Sequence, residues 1–335
     1  MMLRSRALPA TMLAVVAVLT LALGGCSTSG GDASGQTRAV KTSQGEVDVP
    51  VAPKRVVLLN YALAGYLFDM DVPVVATTPE VTDGKHEFNA AWAEKAQKAG
   101  TTFLPWSNDG FDMESILEAE PDLIVAGGLG FPLKHATAAY PELSKIAPTV
   151  VVSGDLTEWR DQYEFLADDV FNRPEKFAEA SAAYDKRVAE VRDEITVPEG
   201  EITFLSLTAA GDVYVPIETR GLPAEFAKLG FRPAPLFATG RFQPYTPGGD
   251  SFALSTEQVG QWINQDTVFV LGFNADVTSV AELAKQPIYA ALPAFQKKQA
   301  HDLPYWVQRS DYHEAMAMLD IVEGMFGGAG PGQEH

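Results

Sequence analysis

From Gly45 onward, short apolar runs alternate with segments whose apolar residues recur every three or four positions. Arg55 to Leu59 (RVVLL) reads as a buried strand, Ala62 to Met70 as a helix and Pro73 to Ala76 as a second strand. Met113 to Ala119 is expected to be helical and to close at Pro121; Asp122 to Ala126 then forms a strand running into Gly127-Gly128. A helix over Pro141 to Ile146 and a strand over Thr149 to Val152 complete this half. Strands separated by helices predict a parallel sheet covered by helices.

The middle of the chain follows a different rhythm. Trp159, Tyr163, Leu166 and Val170 recur at spacings of four, three and four. After Asn172-Arg173-Pro174 the stripe resumes with Phe177, Ala180, Tyr184, Val188, Val191 and Ile195. One stripe over this length predicts a long amphipathic helix, ended by Pro198-Glu199-Gly200. A second alternation follows: strands at Glu201 to Leu207, Val213 to Val215 and Thr267 to Leu271, and helices at Leu222 to Leu229, Thr256 to Ile263 and Tyr312 to Met325. The layout is therefore α/β lobe, long helix, α/β lobe.

The beginning of the chain is of another kind. Arg4 and Arg6 precede an apolar run from Leu8 to Leu23, shorter than a comfortable membrane span and arranged as an export signal. Leu23-Gly24-Gly25-Cys26 resembles the lipobox of bacterial lipoproteins, which implies cleavage before Cys26 and lipidation of its new N-terminus. Cys26 is the only cysteine among 335 residues, so structural pairing within the chain is excluded. The expected boundaries are a signal peptide at 1–25, the lipidated cysteine and a flexible Gly/Ser-rich linker at 26–44, an N-terminal lobe at 45–155, a linking helical segment at 156–197, a C-terminal lobe at 198–326 and a disordered tail at 327–335. The net charge of −19, made still more negative by loss of Arg4 and Arg6, argues against a nucleic-acid partner.

Three segments carry a family resemblance: GEVDVPVAPKRVVLLN (45–60), FDMESILEAEPDLIVAGG (111–128) and ETRGLPAEFAKLGF (218–231). With a lipobox in front, their order and spacing resemble the substrate-binding lipoproteins of iron-siderophore and cobalamin ABC importers, and the ferric-siderophore branch in particular. The resemblance implies a class III periplasmic binding protein fold: two three-layer α/β lobes with mainly parallel sheets, bridged by one long rigid helix. It implies a monomer without a resident cofactor. Such a protein takes a ferric siderophore between its lobes, is held to the outer face of the cell membrane through Cys26, and hands its ligand to a permease dimer driven by an ATPase.

Open α/β sheets bind ligands beyond the carboxyl ends of their strands. The loops expected there offer Asn60, Tyr61, Trp106, Arg220, Tyr245, Phe273, Trp306 and Arg309. Aromatic walls and an occasional guanidinium suit a bulky, partly apolar chelate. Arg220 matches the arginine that such binders present from the second lobe; its competing role is a surface pairing with Glu218 or Glu225. Catecholate binders often use three arginines, whereas the matching strand ends here, 125–128 and 271–273, have none. A hydroxamate or mixed-ligand chelate is favoured over a catecholate. Glu114 and Glu257, each at the start of a helix and one per lobe, match the glutamates that dock into permease arginines. Helix capping and the helix dipole would also place acids there.

Enzymatic readings lack support. His86-Glu87 and His313-Glu314 begin a zinc-hydrolase motif, but Ala90 and Ala317 stand where the second histidine is needed. The five histidines are scattered, which disfavours a zinc or manganese carrier. A haem or other iron-chelate ligand is the alternative, because Tyr61, Tyr245 or His86 offers one axial group.

Overall fold

The computed structural model describes residues 35–80, 86–107, 109–245, 249–273 and 278–328. The expected signal peptide, Cys26 and the tail from 329 lie outside the described residues. The chain opens on an antiparallel hairpin, β1 (Thr37–Thr42) and β2 (Gly45–Pro50). This corrects the expectation of a flexible linker to residue 44. Alternation decides it: Val40, Val47 and Val49 all point into the core, and the Arg38 guanidinium donates to the Val170 carbonyl.

The first lobe contains β3 (Val56–Leu58), β4 (Val74–Thr77), β5 (Thr102–Phe103), a small hairpin of β6 (Trp106–Ser107) and β7 (Gly110–Phe111), then β8 (Leu123–Gly127) and β9 (Thr149–Val152). Its main sheet has the order β5-β4-β3-β8-β9 and is parallel throughout. Period-two alternation divides its residues between two cores. Leu58, Val125 and Val152 face the linking helices, while Val57, Ile124 and Val151 face the opposite side. The helix expected over 141–146 begins earlier, at Gly130, and carries Pro141 in its interior.

The second lobe contains β10 (Ile202–Leu207), β11 (Val213–Pro216), β12 (Ser251–Leu254), β13 (Thr267–Gly272) and β14 (Ala300–Asp302), in the order β12-β11-β10-β13-β14. Here β10, β13 and β14 are parallel, but β11 and β12 run antiparallel to their neighbours. The return from β10 to β11 is a short turn at Gly211, too short for the crossover a parallel pair requires.

The linking segment is not one unbroken helix. An α-helix at Trp159–Glu164 continues as a π-helical stretch, Phe165–Val170, and the long helix Pro174–Glu194 starts anew. The break has a local cause: Asn172 adopts a left-handed φ of 52°, and Pro174, which has no N–H, fits the first turn of the second helix. The last helix, Tyr312–Phe326, packs along Pro174–Glu194, with Arg187 reaching Asp320 and Glu323 at 2.7 Å each. Gly327 pairs with Ile195, so the start of the expected tail is ordered by backbone bonding. The two lobes belong to a single compact unit.

Candidate functional site

The strand ends of both lobes, the start of the linking segment and the start of the last helix enclose a cavity of ≈ 650 Å³. That volume suits an organic ligand of substantial size. Asn60, Tyr61, Trp106, Trp306 and Arg309, expected from sequence, all line it.

The first lobe builds its wall largely from backbone and fixed polar groups. Asn60 is 5% exposed; its Oδ1 accepts the Ala62 N–H at 3.1 Å and its Nδ2 donates to the Gly127 carbonyl at 2.6 Å, tying the end of β3 to the end of β8. Gly127 and Gly128 have φ of 91° and 83°, and a Cβ on Gly128 would stand 2.6 Å from Asn60 Nδ2. Glycine is needed at this turn. Tyr61 donates to the Glu87 carbonyl and accepts the Asn89 N–H; burial, then the Glu80 charge, push its phenol up against the Asn89 bond and hold it neutral. That leaves little freedom for the axial-ligand role. Trp106 donates through Nε1 to His135 Nδ1 at 3.2 Å, and beside it Phe131 presents an exposed ring to the cavity mouth.

The second lobe relies on side chains. Arg309 makes a two-pronged contact with Asp250, Nε to Oδ2 at 2.8 Å and Nη2 to Oδ1 at 3.1 Å. Burial opposes ionisation of Asp250, yet the Arg309 charge and bonds hold its carboxyl below the usual range. Arg309 Nη2 also donates to the Tyr245 hydroxyl, and its guanidinium sits 5.3 Å from the centre of the Phe273 ring. Tyr245 and Phe273, two expected contacts, thus join the cavity through Arg309 and pack with Tyr214. Gln308 is anchored behind them by Ser206 and Ser251.

Arg220 is not brought to the cavity lining; Gly221 beside it is. The Arg220 Nη1 donates to the Gly249 carbonyl at 3.4 Å, and neither expected surface partner holds it. Glu218 receives the Phe237 and Ala238 N–H groups, while Glu225 is bound by Tyr184 and Lys228. Arg309, also expected from its loop, supplies the guanidinium of the lining among the described residues.

Glutamates are the charged lining residues not expected from sequence as contacts: Glu80, Glu158, Glu225 and Glu314, beside the rings of Phe131, Trp159 and Tyr305. Glu80 follows Thr78 and Pro79 in the loop after β4, and in the sequence Glu314 stands out only as half of an incomplete zinc motif. Instead His313 Nε2 lies 2.9 Å from Asp69, and Glu314 forms a reciprocal cap with Asp311 across the first turn of the last helix. Burial pushes Glu80 and Glu158 up, opposed by bonds from Tyr305 and Gly221. Burial, then Asp311 and Glu80 among its neighbours, pushes Glu314 well above the carboxylate range, and Asp311 is raised to about 6.

Glu114 and Glu257 stand away from the cavity, exposed, in the first turns of Met113–Glu118 and Thr256–Trp262. Asp112 and Ser255 cap these helices. Glu257 accepts the Ser255 hydroxyl at 2.9 Å, and its own backbone N–H and that hydroxyl hold its carboxyl below the usual range. Glu114 has no comparable bond among the described residues.

Comparison with known proteins places this arrangement. Residues 81–305 match the model of the family described as "Periplasmic binding protein". The ferric enterobactin-binding periplasmic protein FepB of Escherichia coli is 29% identical over 298 residues, covering 86% of this chain and 91% of FepB. The iron(3+)-hydroxamate-binding protein FhuD of Bacillus subtilis is 28% identical over 206 residues, 59% of this chain and 60% of FhuD. Among solved structures, holo-ViuP superposes with a TM-score of 0.73 at 22% identity, covering 87% of this chain and 96% of that one. Staphylococcus aureus SirA complexed with staphyloferrin B superposes at 0.67 and 18% identity, covering 86% and 98%. These likenesses establish the two-lobed fold.

Proposed function

The chain belongs to the periplasmic binding protein family, a family of carriers rather than enzymes, and on that premise we propose that it captures a ferric siderophore between its lobes and delivers it to an ABC importer. The observation that carries this reading is the aromatic-walled cavity of ≈ 650 Å³, lined from both lobes. FepB and FhuD, named for ferric enterobactin and iron(3+)-hydroxamate, support an iron chelate as the ligand. Within that class a hydroxamate or mixed-ligand chelate fits better than a catecholate. Among the described residues the lining contains one arginine, already engaged by Asp250, and a highly anionic complex would meet four glutamates.

The same reading has Cys26 as the lipid anchor on the outer face of the membrane, and Glu114 and Glu257 as contacts to the permease. Tryptophan fluorescence tests ligand capture, since Trp106, Trp159 and Trp306 line the cavity. Titration with a ferric trihydroxamate should quench it saturably and in equal proportion to protein. Absence of quenching by hydroxamate, catecholate and citrate complexes alike would overturn the reading.

A further inference from the structure

The first lobe's side of the cavity mouth is built around one buried histidine. Trp106 and Phe111 are directly paired in the β6–β7 hairpin, so their side chains leave the same face of the two strands. Both rings meet His135, which comes from the helix Gly130–Ile146, and Phe131 meets it from one turn earlier on that helix. The centre of the imidazole lies 6.3 Å from that of Trp106, 5.8 Å from Phe111, edge-on at 88°, and 6.0 Å from Phe131. Of these four residues, Trp106 and Phe131 line the cavity. His135 is 8% exposed, and its Nδ1 accepts the Trp106 Nε1–H at 3.2 Å. An indole has one donor and no acceptor. With that donor given to His135, what Trp106 has left for a ligand is the carbon surface of its ring. The bond also removes a freedom. Turning the indole over about its Cβ–Cγ bond carries Nε1 away from His135 and leaves a buried acceptor unpaired, which costs free energy.

Resting on the siderophore reading above, we infer that His135 is a positioning residue for ligand capture: by accepting the Trp106 N–H it fixes the indole, with Phe131 beside it, as an apolar wall for the carbon part of the ferric chelate. A histidine suits this place because it packs as a ring against three aromatics and still ends in an acceptor. An apolar ring of similar size would fill the space but release the indole. Trp106 would then turn among several orientations, and ordering it again on binding would subtract from affinity.

The test is a double-mutant cycle on the full-length protein, with a ferric trihydroxamate titrated by tryptophan fluorescence and the melting temperature measured beside it. His135→Phe keeps the ring contacts but has no acceptor, and should weaken binding about three- to tenfold, the scale of one neutral hydrogen bond. His135→Asn loses the ring but keeps an oxygen at the place of Nδ1. It should bind within about twofold of wild type, well inside the worth of that bond, whatever its melting temperature. In a Trp106→Phe background, where Trp159 and Trp306 still report from the cavity, His135→Phe should change the affinity no further. If His135→Phe melts below the titration temperature, His135→Leu, which also lacks an acceptor, takes its place in the cycle. Wild-type affinity in His135→Phe, an equal loss in both backgrounds, or a loss that follows melting temperature rather than the acceptor would overturn the inference while leaving the siderophore reading intact. Failure of the wild type to bind any ferric chelate would overturn both.

Discussion

The two lobes face the same cavity but hold their walls in different ways. In the first lobe, a parallel sheet brings β3 and β8 side by side, and Asn60 bonds across their ends to Gly127. Its geometry is therefore set by backbone. In the second lobe, β11 and β12 turn back antiparallel, and the wall is the Arg309–Asp250 pair with Tyr245 and Phe273 packed around it. Its geometry is set by charge. A wall made of backbone turns tolerates few substitutions but keeps its shape; a wall made of side chains is open to retuning for a new ligand.

The sharpest difference should appear outside the cavity. Glu114→Arg with Glu257→Arg places a like charge under each lobe, so iron-55 uptake in cells should fall to background while ligand affinity stays unchanged. Each single variant should lose less, and unequal losses would show which lobe bears more of the docking. Normal uptake by the double variant would remove the docking role.

Within the cavity, Arg309→Gln leaves the Asp250 carboxylate buried without its cation, which costs about 3–5 kcal/mol. Urea denaturation should show that loss, and a variant within 1 kcal/mol of wild type, on the order of surface-pair energies, would show the second wall is not built on charge. On the first wall, Gly128→Ala imposes a positive φ on a residue with a Cβ and drives that Cβ against Asn60. The expected cost is about 1–3 kcal/mol, and ligand affinity should weaken because Asn60 must move.

The smallest effect is the pH dependence. Asp311, at about 6, and Glu314, Glu80 and Glu158 all have folded values raised above their unfolded ones. His313 is likewise raised: burial opposes its charge, but its bond to the Asp69 carboxylate prevails. Groups of this kind stabilise the fold at low pH and lose that contribution as pH rises through their folded values. The melting temperature should accordingly climb from about pH 8 to about pH 5. Asp250, lowered by Arg309, acts in the opposite sense, and its contribution disappears only below about pH 4. A flat profile between pH 5 and 8 would show the cavity carboxyls to be solvated.

Most strands and helices were legible because burial on two faces leaves continuous apolar runs such as Ile202–Leu207 and Thr267–Gly272. The antiparallel turn after β10 was not, since a strand's sequence carries its burial but not its direction. The β1–β2 hairpin was not legible because Thr37–Thr42 sets Ala39 and Val40 among charged and hydroxyl side chains, with Val40 alone deeply buried. In the site, Asn60, Tyr61, Trp106, Trp306 and Arg309 were found by their position after strands. The glutamates were missed for a reason of length scale. Glu80, Glu158 and Glu314 are separated along the chain by whole elements, and only packing brings them to one chamber. Arg220 shows the converse: adjacency to Gly221 put it near the site without turning its side chain inward.

One apolar core runs beneath both lobes, with Leu58 and Val125 of the first, Phe204, Phe226 and Phe269 of the second, and Tyr163, Tyr184 and Leu319 between them. Such a shared foundation sets the timescale of ligand exchange. Exposing roughly 200 Å² of it in a wide clamshell swing would cost about 5 kcal/mol, leaving fewer than about one molecule in a thousand open at any instant. Phe131, exposed beside the cavity, is a side chain whose rotamers can change the opening without moving the lobes. Phe131→Ala is then expected to shorten the residence time of a bound ligand in a stopped-flow dissociation measurement without altering how the lobes stand.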